Sequence, residues 1–271
     1  MAIITISRGS YYMGKAVAEK VAEKLGYPLV SRDVLLEASE RFRVPEIKLV
    51  RAIHDAPGIL DRLSHSKQSY IAYIRAALAE RAAAEGKLVY HGLAGHLLLT
   101  GLEQVLKVRV TADMQRRVAQ EMERSNIGAQ KAREILLKDD LQRRRWTKAL
   151  YGVDPSDSSL YDLVVRIDKI TVDQAVDFIC EVAGNACFQA TEKCRQKARD
   201  FALACRVKAA LVEEWPNIRV ACHYGNVIVY PKEREAKAGK LRKRLDQVCS
   251  ALEGIHNVEI HRASQPPEDA V

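Results

Sequence analysis

Through the first two thirds of the chain, short apolar runs alternate with stretches whose apolar residues recur at helical spacing. The first run, Ile3-Ile4-Thr5-Ile6, reads as a buried strand. Just after it, Val17, Val21, Ala22 and Leu25 share one helical face, and Lys15, Glu19, Lys20 and Glu23 fall mostly on another. Residues 27–33 predict a short second strand with a polar end, and 33–42 a helix. Residues 45–66 are mixed, with turns at Pro45 and Pro57-Gly58, and suit a mobile helical segment over a site, with His54, His65 and Lys67 as surface groups. A long helix over 68–85 closes at Gly86 in the C-cap position, and a strand follows at 87–91. Gly92-Leu93-Ala94-Gly95-His96 then turns into a short apolar stretch, a second strand–glycine turn–helix unit opening on the same side of the sheet as the first. Residues 106–111 and 161–167 are further strands. Between them lie helices at 113–125 and 129–150, interrupted at Gly128, and Thr171 caps a closing helix to about residue 183. The alternation predicts an α/β fold with a parallel sheet covered on both faces.

The last third reads differently. Residues 184–199, rich in charge and cysteine, form a helical connector, and a helix runs from about 200 to 214. A strand at 217–223 turns through Tyr224-Gly225-Asn226 into a returning strand at 227–230, with Ile218, Val220 and Cys222 alternating onto one face. A helix over 233–253 ends at Gly254, a third strand follows at 256–261, and the tail 263–271 is expected to be frayed and flexible. The domains are therefore 1–183, a connector at 184–199, 200–262 and the tail.

The chemistry concentrates at the first strand–helix junction. Gly9 and Gly14 are separated by four residues, and Lys15 follows directly, the layout of a phosphate-binding P-loop. Amides of such a loop and the helix N-terminus present positive potential to phosphate oxygens, and the lysine adds a point charge. Gly9, Ser10, Gly14, Lys15, Ala16 and Val17 are the candidate cradle. The hydroxyl that normally binds Mg²⁺ after the lysine is missing, because Ala16 and Val17 stand there. Arg32 and Asp33, at the polar end of the second strand, are candidates to touch an acceptor or to form a salt-bridged helix start.

With 271 residues, 48% hydrophobic and 29% charged, the composition is that of an ordinary globular protein of one or two domains. A formal charge of +8 points to an anionic ligand or surface without choosing among nucleotide, nucleic acid and lipid. No apolar run reaches membrane-spanning length, and no nucleic-acid reading element is recognisable. The 6 cysteines lack a CxxC pair and read as free thiols of a reducing cytoplasm rather than zinc ligands.

Ile6-Ser7-Arg8, Gly14-Lys15, Glu23-Lys24-Leu25-Gly26, Arg32-Asp33, the Gly92 turn, Thr111-Ala112 with Arg117, Asp140-Leu141-Gln142-Arg143, Trp146, Tyr151-Gly152 and Tyr161-Asp162-Leu163-Val164 occur in that order. Over residues 1–183 the chain resembles the cytidylate kinase-like family of P-loop nucleoside monophosphate kinases. The resemblance implies a kinase-type parallel sheet flanked by helices, with a helical lid closing over ATP and Mg²⁺. It places Lys15 on the β/γ-phosphates, Arg117, Arg143 and Arg144 or Arg145 around the transferring group, and Arg32, Asp33 and Gly92 at the acceptor. Asp140 would orient an arginine one turn away. The acceptor implied is CMP or dCMP-like. Departures from the family pattern are the bulky Tyr11-Tyr12-Met13, Ser31 in place of an acidic residue, and Leu93 in place of an arginine. They support the alternative of a catalytically degenerate nucleotide-binding regulator. The C-terminal order of helix, hairpin, helix and strand, with Gly225 and Glu253-Gly254-Ile255-His256-Asn257-Val258, resembles the BON domain. That resemblance implies a module for a protein partner or an anionic surface, with the basic stretch 232–244 either at that contact or merely solvated.

Overall fold

The computed structural model describes residues 2–8, 11–54, 66–92, 94–232, 238–261, 266–267 and 269–271. In chain order the N-terminal part comprises β1 (Ile3–Arg8), α1 (Tyr11–Leu25), β2 (Leu29–Val30), α2 (Asp33–Phe42), α3 (Glu46–His54), α4 (Ser66–Glu85) and β3 (Leu88–His91). It continues with α5 (Gly95–Leu98), β4 (Val105–Ala112), α6 (Met114–Ser125), α7 (Ala129–Tyr151), β5 (Leu163–Ile167) and α8 (Val172–Ala183). The C-terminal part is α9 (Glu192–Leu211), β6 (Arg219–His223), β7 (Asn226–Tyr230), α10 (Ala238–Ser250) and β8 (Asn257–Ile260).

Strands β2-β3-β1-β4-β5 form one sheet in that order, and every neighbouring pair is parallel. Along β1 the side chains alternate between faces. Ile4 and Ile6 join Val17, Val21, Val176 and Ile179 of α1 and α8 in one core layer. Ile3 joins the opposite layer with Leu88, Tyr90 and the alanine-rich α4. All five strands therefore point their C-terminal ends to one side, the usual place for a ligand in an open α/β sheet.

The smaller sheet has the order β6-β7-β8, with β6 and β7 antiparallel and β7 and β8 parallel. Its hairpin turns through two left-handed residues, Tyr224 (φ 49°) and Gly225 (φ 74°). A Cβ at Gly225 would lie 2.5 Å from the Gly254 carbonyl oxygen, so this turn has room only for glycine.

Three expectations change. Helix α1 begins at Tyr11, so Gly14 and Lys15 sit inside the helix rather than in a loop before it. The connector and the following helix are largely one element: α9 runs unbroken through the expected boundary at residue 200 and packs along α4. Both helices are rich in buried alanine (Ala72, Ala76 and Ala79 on α4; Ala198, Ala202 and Ala209 on α9), which permits close approach of their backbones, and one apolar cluster spans both. Finally, the tail is not frayed throughout, since Ala270 and Val271 are buried. The exposed edge of β6 captures them: the Val271 amide donates to the Val220 carbonyl at 2.8 Å, the Val220 amide to Val271 at 3.3 Å, and Arg219 Nε to the Ala270 carbonyl at 3.1 Å. The expectations for Gly9, Ser10, Leu93, His65 and the Pro57-Gly58 turn lie outside the described residues, as does the start of the helix expected at 233.

Candidate active site

A cleft of about 250 Å³ opens at the C-terminal ends of β1 and β4. Ser7, Thr111 and Ala112 line its floor, Gly92 and His96 one wall, and α7 the roof. Four arginines face it, Arg109, Arg117, Arg143 and Arg144, against two aspartates, Asp140 and Asp154.

The arginines are held in graded fashion. Arg117 on α6 is buried and meets Asp140 of α7 through both terminal nitrogens, at 2.8 and 2.9 Å. A two-point guanidinium–carboxylate pair fixes orientation as well as distance. Arg143, one turn along α7, donates to the same carboxylate at 3.2 Å. Burial lowers the pKa of Arg143, Asp140 opposes that shift, and the neighbouring Arg117 adds to it. Arg144 is exposed and pairs with Asp154 at 3.2 Å. Arg109 lies 5.5 Å over the Tyr161 ring. Trp146 anchors the α7 roof by donating its indole N–H to the Ala52 carbonyl of α3 at 2.6 Å.

Gly92 and Gly95 permit the tight turn after β3, because a Cβ at either would come within 2.4 Å of the Tyr90 side chain. His96, at the start of α5, is buried with its ring 4.6 Å from Tyr161. Neither of its nitrogens has a hydrogen-bond partner among the described residues. Burial, with Lys107 and Arg109 nearby, pushes its pKa down to about 4. Between that value and the ordinary 6.5 of an unfolded chain, the unfolded state binds the extra proton. Stability from neutral His96 is thus full above pH 6.5 and is lost as pH falls toward 4, by up to about 3 kcal/mol. Urea denaturation at stepped pH is expected to show this slope, and His96→Phe to flatten it.

Of the expected site residues, Gly92, Arg117, Arg143 and Arg144 come together in the cleft, with Asp140 as their organiser. Arg145 is exposed and does not line it. Arg32 and Asp33 do not line it either. Arg32 pairs with Glu46 at 2.7 Å, and Asp33 pairs with Arg81 at 3.1 Å and accepts the Ser31 amide. Lys15 is half-exposed in the second turn of α1 and lies 3.5 Å from Glu19. Val17 is wholly buried in the core. Helical geometry directs the amides of Lys15, Ala16 and Val17 to carbonyls one turn back, so the unspent amides at this helix end belong to residues 11–14.

Ser7, His96, Arg109, Thr111 and Asp154 are cleft residues that sequence reasoning missed. The signal for two of them was present in β4, where Lys107, Arg109 and Thr111 alternate with Leu106, Val108 and Val110. A central strand of a covered sheet that is polar on one face must turn that face toward a site.

An open parallel sheet with an arginine-lined cleft at its carboxyl edge and a helical roof defines a phosphate-handling α/β protein of P-loop kinase architecture. The chain belongs to the cytidylate kinase-like family, whose model matches residues 3–169. It is 29% identical over 189 residues to a cytidylate kinase of Pyrobaculum aerophilum, covering 66% of this chain and 94% of that protein. It is also 29% identical over 192 residues to one of Pyrobaculum islandicum, covering 68% and 96%. A cytidylate kinase of Staphylothermus marinus is 33% identical over 92 residues, 33% of this chain and 51% of that protein. The crystal structure of an uncharacterized protein from Eubacterium ventriosum shares the fold, with a TM-score of 0.51 at 22% identity, covering 67% of this chain and 97% of that one. No helix among the described residues is long and apolar enough to cross a membrane.

Proposed function

We propose that the chain transfers the terminal phosphoryl group of ATP to a nucleoside monophosphate of the CMP or dCMP kind, and that its C-terminal α/β part serves as an interaction module. The observation carrying this reading is the Asp140 carboxylate, which holds Arg117 by two bonds and Arg143 by a third beneath the helical roof. Phosphoryl transfer requires charge neutralisation and in-line positioning more than covalent catalysis. Guanidiniums fixed before substrate arrives supply both. Arg117 and Arg143 contact the transferring group, Arg144 and Arg109 the flanking phosphates, and neutral His96 offers a ring nitrogen to the acceptor side. The cleft fits phosphates, but its side chains do not fit a protein-bound Mg²⁺. Asp140 and Asp154 are each engaged by arginine, Ala16 and Val17 carry no hydroxyl, and no group of three metal-ligating side chains occurs among the described residues.

One observation favours a second reading, a nucleotide-binding regulator without turnover. Lys15 projects from within α1 toward Glu19 rather than from a loop. The test is ADP release across a panel of nucleoside monophosphates, with ATP binding followed by calorimetry. Turnover on CMP or dCMP is expected. ATP binding without turnover on any acceptor favours the regulator, and no ATP binding overturns both readings. Lys15→Ala is expected to weaken ATP binding about tenfold to a hundredfold, since leaving an exposed pair with Glu19 costs little. Unchanged ATP affinity removes Lys15 from the site.

A further inference from the structure

A second cavity, of about 980 Å³, lies between the kinase-like part and the C-terminal part and shares no lining residue with the cleft. Arg75 of α4, Lys208 of α9 and Arg219 of β6 reach it from three elements, and Tyr151 reaches it from the end of α7. Among the described residues no aspartate or glutamate lines it; Lys232 lies along it as well, and so does Val271 with its α-carboxylate.

Lys208 has no hydrogen-bond or ion-pair partner among the described residues. Burial, with Arg75 and Arg219 nearby, pushes its pKa down to about 8. Arg75 donates Nε to the Leu98 carbonyl at 2.9 Å and lies 5.1 Å over the Phe201 ring, and its terminal nitrogens have no hydrogen-bond partner among the described residues. Among the described residues the Arg219 guanidinium is bonded only to a neutral carbonyl, that of Ala270. The Tyr151 hydroxyl is buried with no hydrogen-bond partner among the described residues. Three mutually repelling cations and an unused hydroxyl, none of them ion-paired with the Val271 carboxylate among the described residues, are costly unless a further anion completes them.

We propose that this cavity binds a small phosphorylated organic molecule, with its phosphate held by Lys208, Arg75 and Arg219 and its body against Ile71, Val212 and Ile218. Three converging cations exceed the charge of one carboxylate and suit a group carrying about two negative charges. The volume leaves room for an organic body beyond the phosphate. The inference does not depend on the activity proposed for the cleft.

The test is calorimetric titration of the full chain with phenyl phosphate and, separately, with phthalate, a dicarboxylate on the same ring. Phenyl phosphate is expected to bind, and Lys208→Met to weaken that binding at least about tenfold. Lys208→Arg should keep the affinity within about threefold, and Arg144→Ala, in the cleft, should leave it unchanged. Lys208→Met is expected to fold, because it removes an uncompensated cation while methionine refills the stem's space. Tyr151→Phe, which removes only the hydroxyl, supplies an independent variant with a smaller loss. Absence of binding, indifference to Lys208→Met, loss through Arg144→Ala instead, or equal affinity for phthalate would each overturn the proposal.

Discussion

Arg143→Ala is expected to lower kcat about a hundredfold to a thousandfold while leaving the urea midpoint nearly unchanged. The side chain retains partial access to solvent, and its 3.2 Å bond to Asp140 adds to the two that Arg117 makes there, so its removal leaves the α6–α7 pair intact. What disappears is a fixed positive group where charge develops during transfer. Lysine at 143 should restore little, since a point charge does not reproduce a planar fork. Arg144→Ala, at an exposed pair with Asp154, should cost only about tenfold. Arg117→Ala is expected to lose both activity and stability, because Arg117 is buried and Asp140 would lose its principal partner. Steady-state assays with saturating acceptor, paired with denaturation curves, separate these outcomes. An Arg143→Ala protein with wild-type kcat would remove α7 from the chemistry.

The largest stability effect is expected at Asp200. This buried carboxylate on α9 accepts the amides of Tyr224 and Gly225 at 2.8 and 3.0 Å, together with the Gln196 side-chain amide at 3.2 Å. It therefore satisfies the backbone of a turn already committed to two left-handed residues. Asp200→Ala strands two backbone donors where water cannot replace the carboxylate fully, at a cost of about 3 kcal/mol. Asp200→Asn keeps one acceptor and should lose roughly half as much. A lower urea midpoint with an unchanged slope is the expected signature. A shift below about 0.5 kcal/mol would mean that the turn holds itself without α9.

The order of strands and helices was readable because buried parallel strands leave continuous apolar runs and helices leave periodic ones. The run Asp140 to Arg145 read as a lid only through the family resemblance, since an arginine run by itself is equally a solvated basic face; helical spacing gave no more than the pairing of Asp140 with an arginine one turn away. Other features depend on tertiary partners. Nothing local distinguishes Gly14-Lys15 before a helix from Gly14-Lys15 within one, since the sequence leaves the starting turn open. His96 gains its character from Tyr161 and from burial, neither of which is encoded near it. The alanine faces of α4 and α9 are legible as helices but not as mates, because small residues pack against many surfaces equally well. The docking of Ala270 and Val271 follows from β6 being an edge strand, a property of sheet order rather than of the tail.

The joining of α4 to α9 has a consequence for synthesis. α4 ends at Glu85 and its mate begins at Glu192, so a nascent chain emerging from the ribosome carries the α4 face uncovered while the intervening strands and helices are made. The parallel sheet can form during that interval, but its outer helical layer is left open on one side. Folding should therefore finish late and in one step, with truncated or stalled chains sticky at the alanine face and attractive to chaperones.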